Sequence, residues 1–243
     1  AFIVVLMFFG AAFAPLIAPT NPFDPATVFL ADASIPPFWQ AGGDPRFVIG
    51  TDDQGRDLYS AILYGLRVSL IVGGLGVLLA AAIGITLGLV AGYVGGRIDA
   101  IIMRVADVQL TFPAILIALL IDGVVHALFK GATREATAVP VLVISIGLSF
   151  WVQYARTIRG QTLVEKNKDY VHAARLVGLP APLIMLRHVL PNVIGPVLVI
   201  LTINLGLAVI TEATLSFLGV GLPPTQPSLG TLISIGNKYL FSG

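Results

Sequence analysis

Two carboxylates stand inside long apolar runs of this 243-residue sequence, Asp122 and Glu212. On insertion scales a charge at the middle of an apolar span costs roughly 2.5 to 3.5 kcal/mol, so each needs water or a polar partner. Around Glu212 the residues Asn204, Ala208, Glu212 and Ser216 follow at four-residue steps, with Thr211 alongside. That spacing gathers polar and small side chains on one face of a helix that is aliphatic elsewhere. Two readings follow. Either Asn204, Thr211 and Glu212 line a water-filled path, where Glu212 meets a charged group of a passing solute, or Glu212 bonds within a bundle and holds helices in register. Asp122, fourteen positions after Val108 and four before His126, is expected near the outer surface and solvated.

Other chemistries find no support. The histidines His126, His172 and His188 are scattered, no His-Glu-x-x-His pair or activated serine motif occurs, and no catalytic residue is assigned. Without cysteine there is no disulfide, thiolate metal site or cysteine nucleophile. Asp52, Asp53 and Asp57 crowd together, but they lack the alternating oxygen ligands and later Glu of a calcium loop, so no metal site is expected. No Gly-x-x-x-x-Gly-Lys-Ser/Thr loop is present to cradle a nucleotide, and no cofactor is expected in this chain.

The elements that carry these residues are those of a membrane protein. The chain is 56% hydrophobic and 11% charged, against about 25% charged in soluble domains. A net charge of +1 with scattered basic residues offers nothing to nucleic acid. A spanning helix needs about 20 apolar residues, and five stretches approach that: 1–17, 68–93, 108–128, 136–155 and 192–220. The expected architecture is an all-α polytopic transmembrane bundle. Residues 1–19 form a partial first span, because the sequence opens inside an apolar run with neither Met nor a basic flank.

Basic residues accumulate on the cytoplasmic side of membrane proteins. Residues 20–67 hold Asp24, Asp32, Asp44, Asp52, Asp53 and Asp57 against Arg46, Arg56 and Arg67, and read as outside. Residues 156–188 hold Arg156, Arg159, Lys166, Lys168, Arg175 and Arg187 against Glu165 and Asp169, and read as inside. The link with Arg97 and Arg104 then falls inside, and that with Lys130, Arg134 and Glu135 outside. The membrane-spanning core thus runs over 68–220, while 221–243, with Leu222, Pro223 and Pro224, stays outside: its apolar stretch 229–241 is too short and polar to cross.

Within the second span Gly76, Ala80, Gly84, Gly88, Gly92 and Gly96 recur every fourth position, a small-residue face that admits another helix at close range. Before it, Asp57 is expected to cap an amphipathic helix over 58–67 on the outer face. In the inner loop Asp169 is the expected N-cap of a short helix from Tyr170, which Gly178 and Leu179-Pro180 end. Tyr170, Ala173, Ala174 and Val177 form its apolar stripe, flanked by His172 and Arg175. A second helix then starts at Pro182 and runs through Arg187-His188 to Pro191. By spacing alone this pair is either a handle for another protein or an interfacial helix resting on lipid headgroups.

This segment resembles the EAA loop of binding-protein-dependent ABC importer permeases, whose frame is kept by Ala173, Ala174, Gly178, Leu190 and Pro191. It departs at His172, where that loop usually has Glu, and at His188, where Ile is common. Gly50-Thr51-Asp52 through Gly55-Arg56-Asp57, Arg187 to Asn192, and Glu212 to Gly219 are similar to the C-type permease subunit of the dipeptide, oligopeptide and nickel branch. The resemblance implies the type I importer permease fold with six spans, about five of them present here, in a bacterial inner membrane. It implies partners: a homologous B-type permease, two ATP-binding subunits that hold ATP and Mg, an outer substrate-binding protein, and membrane lipid. It also implies that Tyr170, His172, Ala173, Ala174, Arg175 and Gly178 couple the chain to an ATP-binding subunit, with peptides, nickel or another small solute as cargo. A proton-coupled secondary transporter using Glu212 and Asp122 is the rival reading.

Overall fold

A computed structural model describes residues 2–128, 134–223, 226 and 228–240. Along the chain lie α1 (Phe2–Ala12), α2 (Ala14–Ile17), α3 (Leu58–Val94), α4 (Gly96–Gln109), α5 (Ala114–Leu128), α6 (Arg134–Glu165), α7 (Asp169–Leu176), α8 (Ala181–Ile184), α9 (Leu190–Val193), α10 (Gly195–Phe217) and α11 (Leu229–Leu240). The described residues contain no strand; Thr51 and Asp57 form one isolated bridge.

By length and apolarity three helices can cross a membrane, Leu58–Val94, Thr137–Glu165 and Gly195–Phe217. A fourth span exists if Gly96–Gln109 and Ala114–Val125, bent by 96°, count as one. This differs from the five stretches read from hydropathy. The first breaks at Phe13 into helices of 11 and 4 residues. The third, expected straight over 108–128, is interrupted before Pro113, which has no N–H and disfavours helical backbone at Phe112. The predicted amphipathic helix 58–67 is no separate element but the first turns of the 37-residue α3. The fourth stretch runs ten residues past its expected end at 155, carrying Arg156 and Arg159 on α6. Lys130 and Pro224 lie outside the described residues, as do the side chains of His126, Arg134 and Glu135.

The contacts divide the chain into two units. One comprises Ala1–Val72, Gly131–Val139 and Glu212–Gly243. Its loop is folded around carboxylates. Asp52 Oδ1 accepts from the N–H groups of Gln54 and Arg56 at 2.9 Å each, and Oδ2 accepts from Arg56 Nε at 2.7 Å with both side chains buried. Asp57 caps α3 as expected, Oδ2 accepting from the Ser60 N–H at 3.0 Å and hydroxyl at 2.5 Å. Gly55 holds φ +82, and a Cβ there would meet the Phe29 carbonyl oxygen. Helix α11 packs close in: a Cβ at Gly65 would lie 3.3 Å from both Leu229 N and Leu232 Cδ1.

The other unit comprises Gly73–Lys130 and Pro140–Thr211. Here the small-residue face of α3 is pressed against α6. A Cβ at Gly76 would lie 2.6 Å from Ile146 Cγ2, and one at Gly92 would lie 2.7 Å from Thr162 Cβ. At Gly84 it would meet the Trp151 carbonyl oxygen, and at Gly88 that of Ala155. Ala80 is fully buried, whereas Gly96, with φ +59 and nothing near, serves the turn into α4 and leaves the stripe. A core of Ala106, Trp151, Val152 and Ala155, with Ile83, Leu87, Ile102 and Met103, joins α3, α4 and α6. Gln109 latches this joint, its amide donating to the Leu148 carbonyl while its oxygen accepts from Trp151 Nε1 at 2.9 Å.

Gly88→Val is expected to destabilise this packing by about 1–3 kcal/mol, as overpacking does. Thermal unfolding of the purified protein should show a lowered Tm for Gly88→Val and little change for Gly74→Ala, since a Cβ at Gly74 meets nothing within 4 Å.

Candidate functional site

The segment after α6 folds as the predicted helix-turn-helix. Helix α7 starts one residue earlier than expected: Lys168 is the N-cap, with no side-chain bond, and Asp169 lies in the first turn, where its charge suits the helix dipole. Its end is a Schellman motif. Gly178 takes φ +83, its N–H donates to the Arg175 carbonyl at 3.0 Å, and the Leu179 N–H donates to the Ala174 carbonyl at 3.2 Å. Helix α8 follows with Pro182 in its first turn, then a π-helical stretch Met185–Val189, then α9. Pro191 has no N–H to return to Arg187, and the wider turn just before it accommodates that loss.

The buried face of α7 is not the predicted stripe. Val171 and Ala174 are buried, while Tyr170, His172, Ala173 and Arg175 are exposed. Leu176 and Val177 are 89% and 79% exposed, an uncovered apolar end. A two-turn helix is too short for periodicity to fix its inner face; the groups beneath it decide. Tyr170 is turned by polar partners that spacing did not reveal. Its hydroxyl donates to Glu165 Oε1 at 2.6 Å and accepts from Asn192 Nδ2 at 3.2 Å. Asn192 also donates to the His188 carbonyl at 2.7 Å, and Lys168 pairs with Glu165 Oε2 at 3.1 Å. Burial and the hydrogen bond and charge of Glu165 push the Tyr170 hydroxyl up to about 12.

Nearby bases are used as ties. Arg159 Nη2 pairs with Asp99 at 2.7 Å, Arg156 pairs with Asp107 at 2.6 Å, and Lys166 Nζ donates to the Gly92 carbonyl at 2.7 Å, satisfying the last turn of α3. Arg175 lies 5.0 Å from the Tyr93 ring centroid and donates from Nε to its hydroxyl at 3.2 Å. Glu165, Asn192, Tyr93 and Asp99 escaped the sequence analysis because each meets its partner through a helix-to-helix approach or across a turn.

On α10 the four-residue face is the buried one. Asn204, Ala208, Glu212 and Ser216 are all buried, and Thr211 is half-buried with its hydroxyl spent on the Leu207 carbonyl at 2.8 Å. Glu212 is 0% exposed: Oε2 accepts from the Ser69 hydroxyl and Oε1 from the Ser216 hydroxyl, each at 2.6 Å. Ser69 Oγ in turn accepts from the Leu229 N–H at 3.3 Å, so one carboxylate ties α3, α10 and α11. Asp122 is half-buried on α5.

The sequence profile of a family described as "Binding-protein-dependent transport system inner membrane component" matches residues 84–242. The chain is 37% identical over 227 residues to a dipeptide transport system permease protein of Haemophilus influenzae, covering 93% of this chain and 72% of that one. It is 35% identical over 237 residues to a di/tripeptide transport system permease protein of Pseudomonas aeruginosa, covering 98% and 74%. An oligopeptide transport system permease protein of Bacillus subtilis is 36% identical over 234 residues, covering 96% and 70%.

Glu212→Ala leaves two buried hydroxyls without their acceptor and is expected to cost about 1–3 kcal/mol. Glu212→Gln, which keeps one carbonyl acceptor, should cost less; thermal unfolding of the two variants side by side checks the order.

Proposed function

Because the chain belongs to the family of binding-protein-dependent transport system inner membrane components, we propose that it is one permease subunit of an ATP-driven peptide importer. The observation that carries this reading is α7, an amphiphilic helix whose last residue Leu176 and C-cap Val177 stand mostly exposed just after Arg175. An apolar tip of that kind suits a groove on another protein better than solvent. The names of the relatives in three organisms supply the cargo class, peptides of two residues or more.

On this reading the multi-pass chain sits in a bacterial inner membrane with α7 in the cytoplasm, beside a homologous permease. Each permease docks one of two ATP-binding subunits, which hold ATP and Mg and supply the hydrolysis. Tyr170, His172, Ala173, Ala174, Arg175 and Gly178 form or frame the docking helix. An outer binding protein delivers the peptide. Asn204, Thr211 and Glu212 are the α10 residues proposed for the path, with Glu212 also holding the Ser69 and Ser216 hydroxyls.

The reading is tested by reconstituting the intact complex in vesicles and following uptake of labelled peptides. Uptake should require ATP and the ATP-binding subunits; uptake by this chain alone under a pH gradient would overturn the importer reading in favour of a proton-coupled carrier. Gly178→Val, which forces a β-branched residue to φ +83 at a cost of about 1–3 kcal/mol, is expected to prevent assembly or separate hydrolysis from uptake while insertion persists. Full transport by normally assembled Gly178→Val complexes would count against the docking role.

A further inference from the structure

We propose that Tyr170 is the pin that makes α7 move as one piece with both α6 and α10, acting as a positioning residue for transport. The inference rests on the importer reading and adds to it the route by which a push on α7 reaches the spans. Covalently, α7 hangs from α6 by the link 166–168 and from α10 through the Gly178 turn and the helical stretch that follows. Both connections are compliant. The backbone of the link holds only local hydrogen bonds, from Asn167 N–H to the Val164 carbonyl and from Lys168 N–H to that of Glu165, its remote tie from Lys166 Nζ goes to the Gly92 carbonyl of α3 at 2.7 Å, and the far side includes a π-helical stretch. A helix joined only so, with Arg175 on Tyr93 holding it to α3 alone, could pivot about Lys168 without moving α6 and α10 together.

The Tyr170 side chain removes that freedom. Its hydroxyl has one proton, donated to Glu165 on the last turn of α6 at 2.6 Å, and an acceptor lone pair that accepts from Asn192 at 3.2 Å, on α9, which leads through Ile194 into α10. One oxygen atom thus joins three helical elements. Both partners are themselves held. Lys168 engages the other Glu165 oxygen at 3.1 Å, and Asn192 is tied to the His188 carbonyl at 2.7 Å. The bond to a carboxylate is of the stronger, charge-assisted kind, and Glu165 is buried, which limits competition from water. A displacement of α7 therefore loads α6 and α10 together, and a phenylalanine at this position would keep the ring while losing both ties.

The test uses the reconstituted complex with its ATP-binding subunits, comparing the original with Tyr170→Phe and Asn192→Ala. The readout is peptide transported per ATP hydrolysed at equal amounts of assembled complex, a ratio that a merely structural role leaves unchanged. Tyr170→Phe is expected to lower it about tenfold, the order expected for losing a charge-assisted bond, and Asn192→Ala, which cuts one tie of two, by less. A ratio equal to the original in both variants, or transport and hydrolysis falling in strict proportion, overturns the proposal. Should Tyr170→Phe fail to assemble, Asn192→Ala decides by the same ratio. If the original complex itself shows no ATP-dependent uptake, the importer reading fails. The pin is then judged by hydrogen exchange over residues 169–178 in the same preparation, where faster exchange in Tyr170→Phe supports it and equal exchange overturns it.

Discussion

The close seam between α3 and α6 is the constraint on which the unit of Gly73–Lys130 and Pro140–Thr211 depends. In a membrane, helices gain little from burying apolar surface against one another, and association rests on van der Waals contact and interhelical bonds. Glycine at 84, 88 and 92 lets the α3 backbone reach the α6 backbone at Trp151, Ala155 and Arg159, and glycine at 76 admits the Ile146 side chain. Only at that range can the Lys166 side chain reach the Gly92 carbonyl and cap the last turn of α3. The packed pair then fixes the end of α6, where Glu165 waits for Tyr170, so the placement of α7 depends on methyl groups that are absent two turns and more away.

In the unit that contains Glu212 the organising fact is the cost of leaving a polar atom unpaired away from water. Glu212 is fully buried, yet both its oxygens are met by hydroxyls, and Ser69 passes the chain of bonds on to the α11 backbone. Satisfied in that way, a carboxylate becomes a clasp between helices, and its presence in an apolar run does not require a substrate. The same economy appears in the loop, where Asp52 and Asp57, two of three crowded acids, are consumed by backbone N–H groups, a guanidinium and a serine.

Much of this was legible in the residues because it depends on local rules. The six small residues at four-residue steps announced a close helix contact, and five of them make it. Gly178 before Leu179-Pro180 announced a left-handed helix end, which is a property of a glycine backbone and survives any packing. Asp57 before a helix announced a cap. What failed did so where a local rule has two solutions. Hydropathy cannot see the 96° bend before Pro113, since the average over 108–128 stays apolar across the break, nor that α6 carries two arginines beyond the apolar stretch because Asp99 and Asp107 stand opposite on α4.

From composition, periodicity and motif the sequence determined an all-helical membrane chain, its family frame, the helix-turn-helix and where its turns must fall, because these follow from side-chain transfer energies and backbone torsions. It left open which face of α7 lies inward and which groups meet the Glu212 carboxylate. Only the tertiary structure decided those, because each depends on which atoms from remote segments come within about 3 Å, a hydrogen-bond distance that no spacing along one helix encodes.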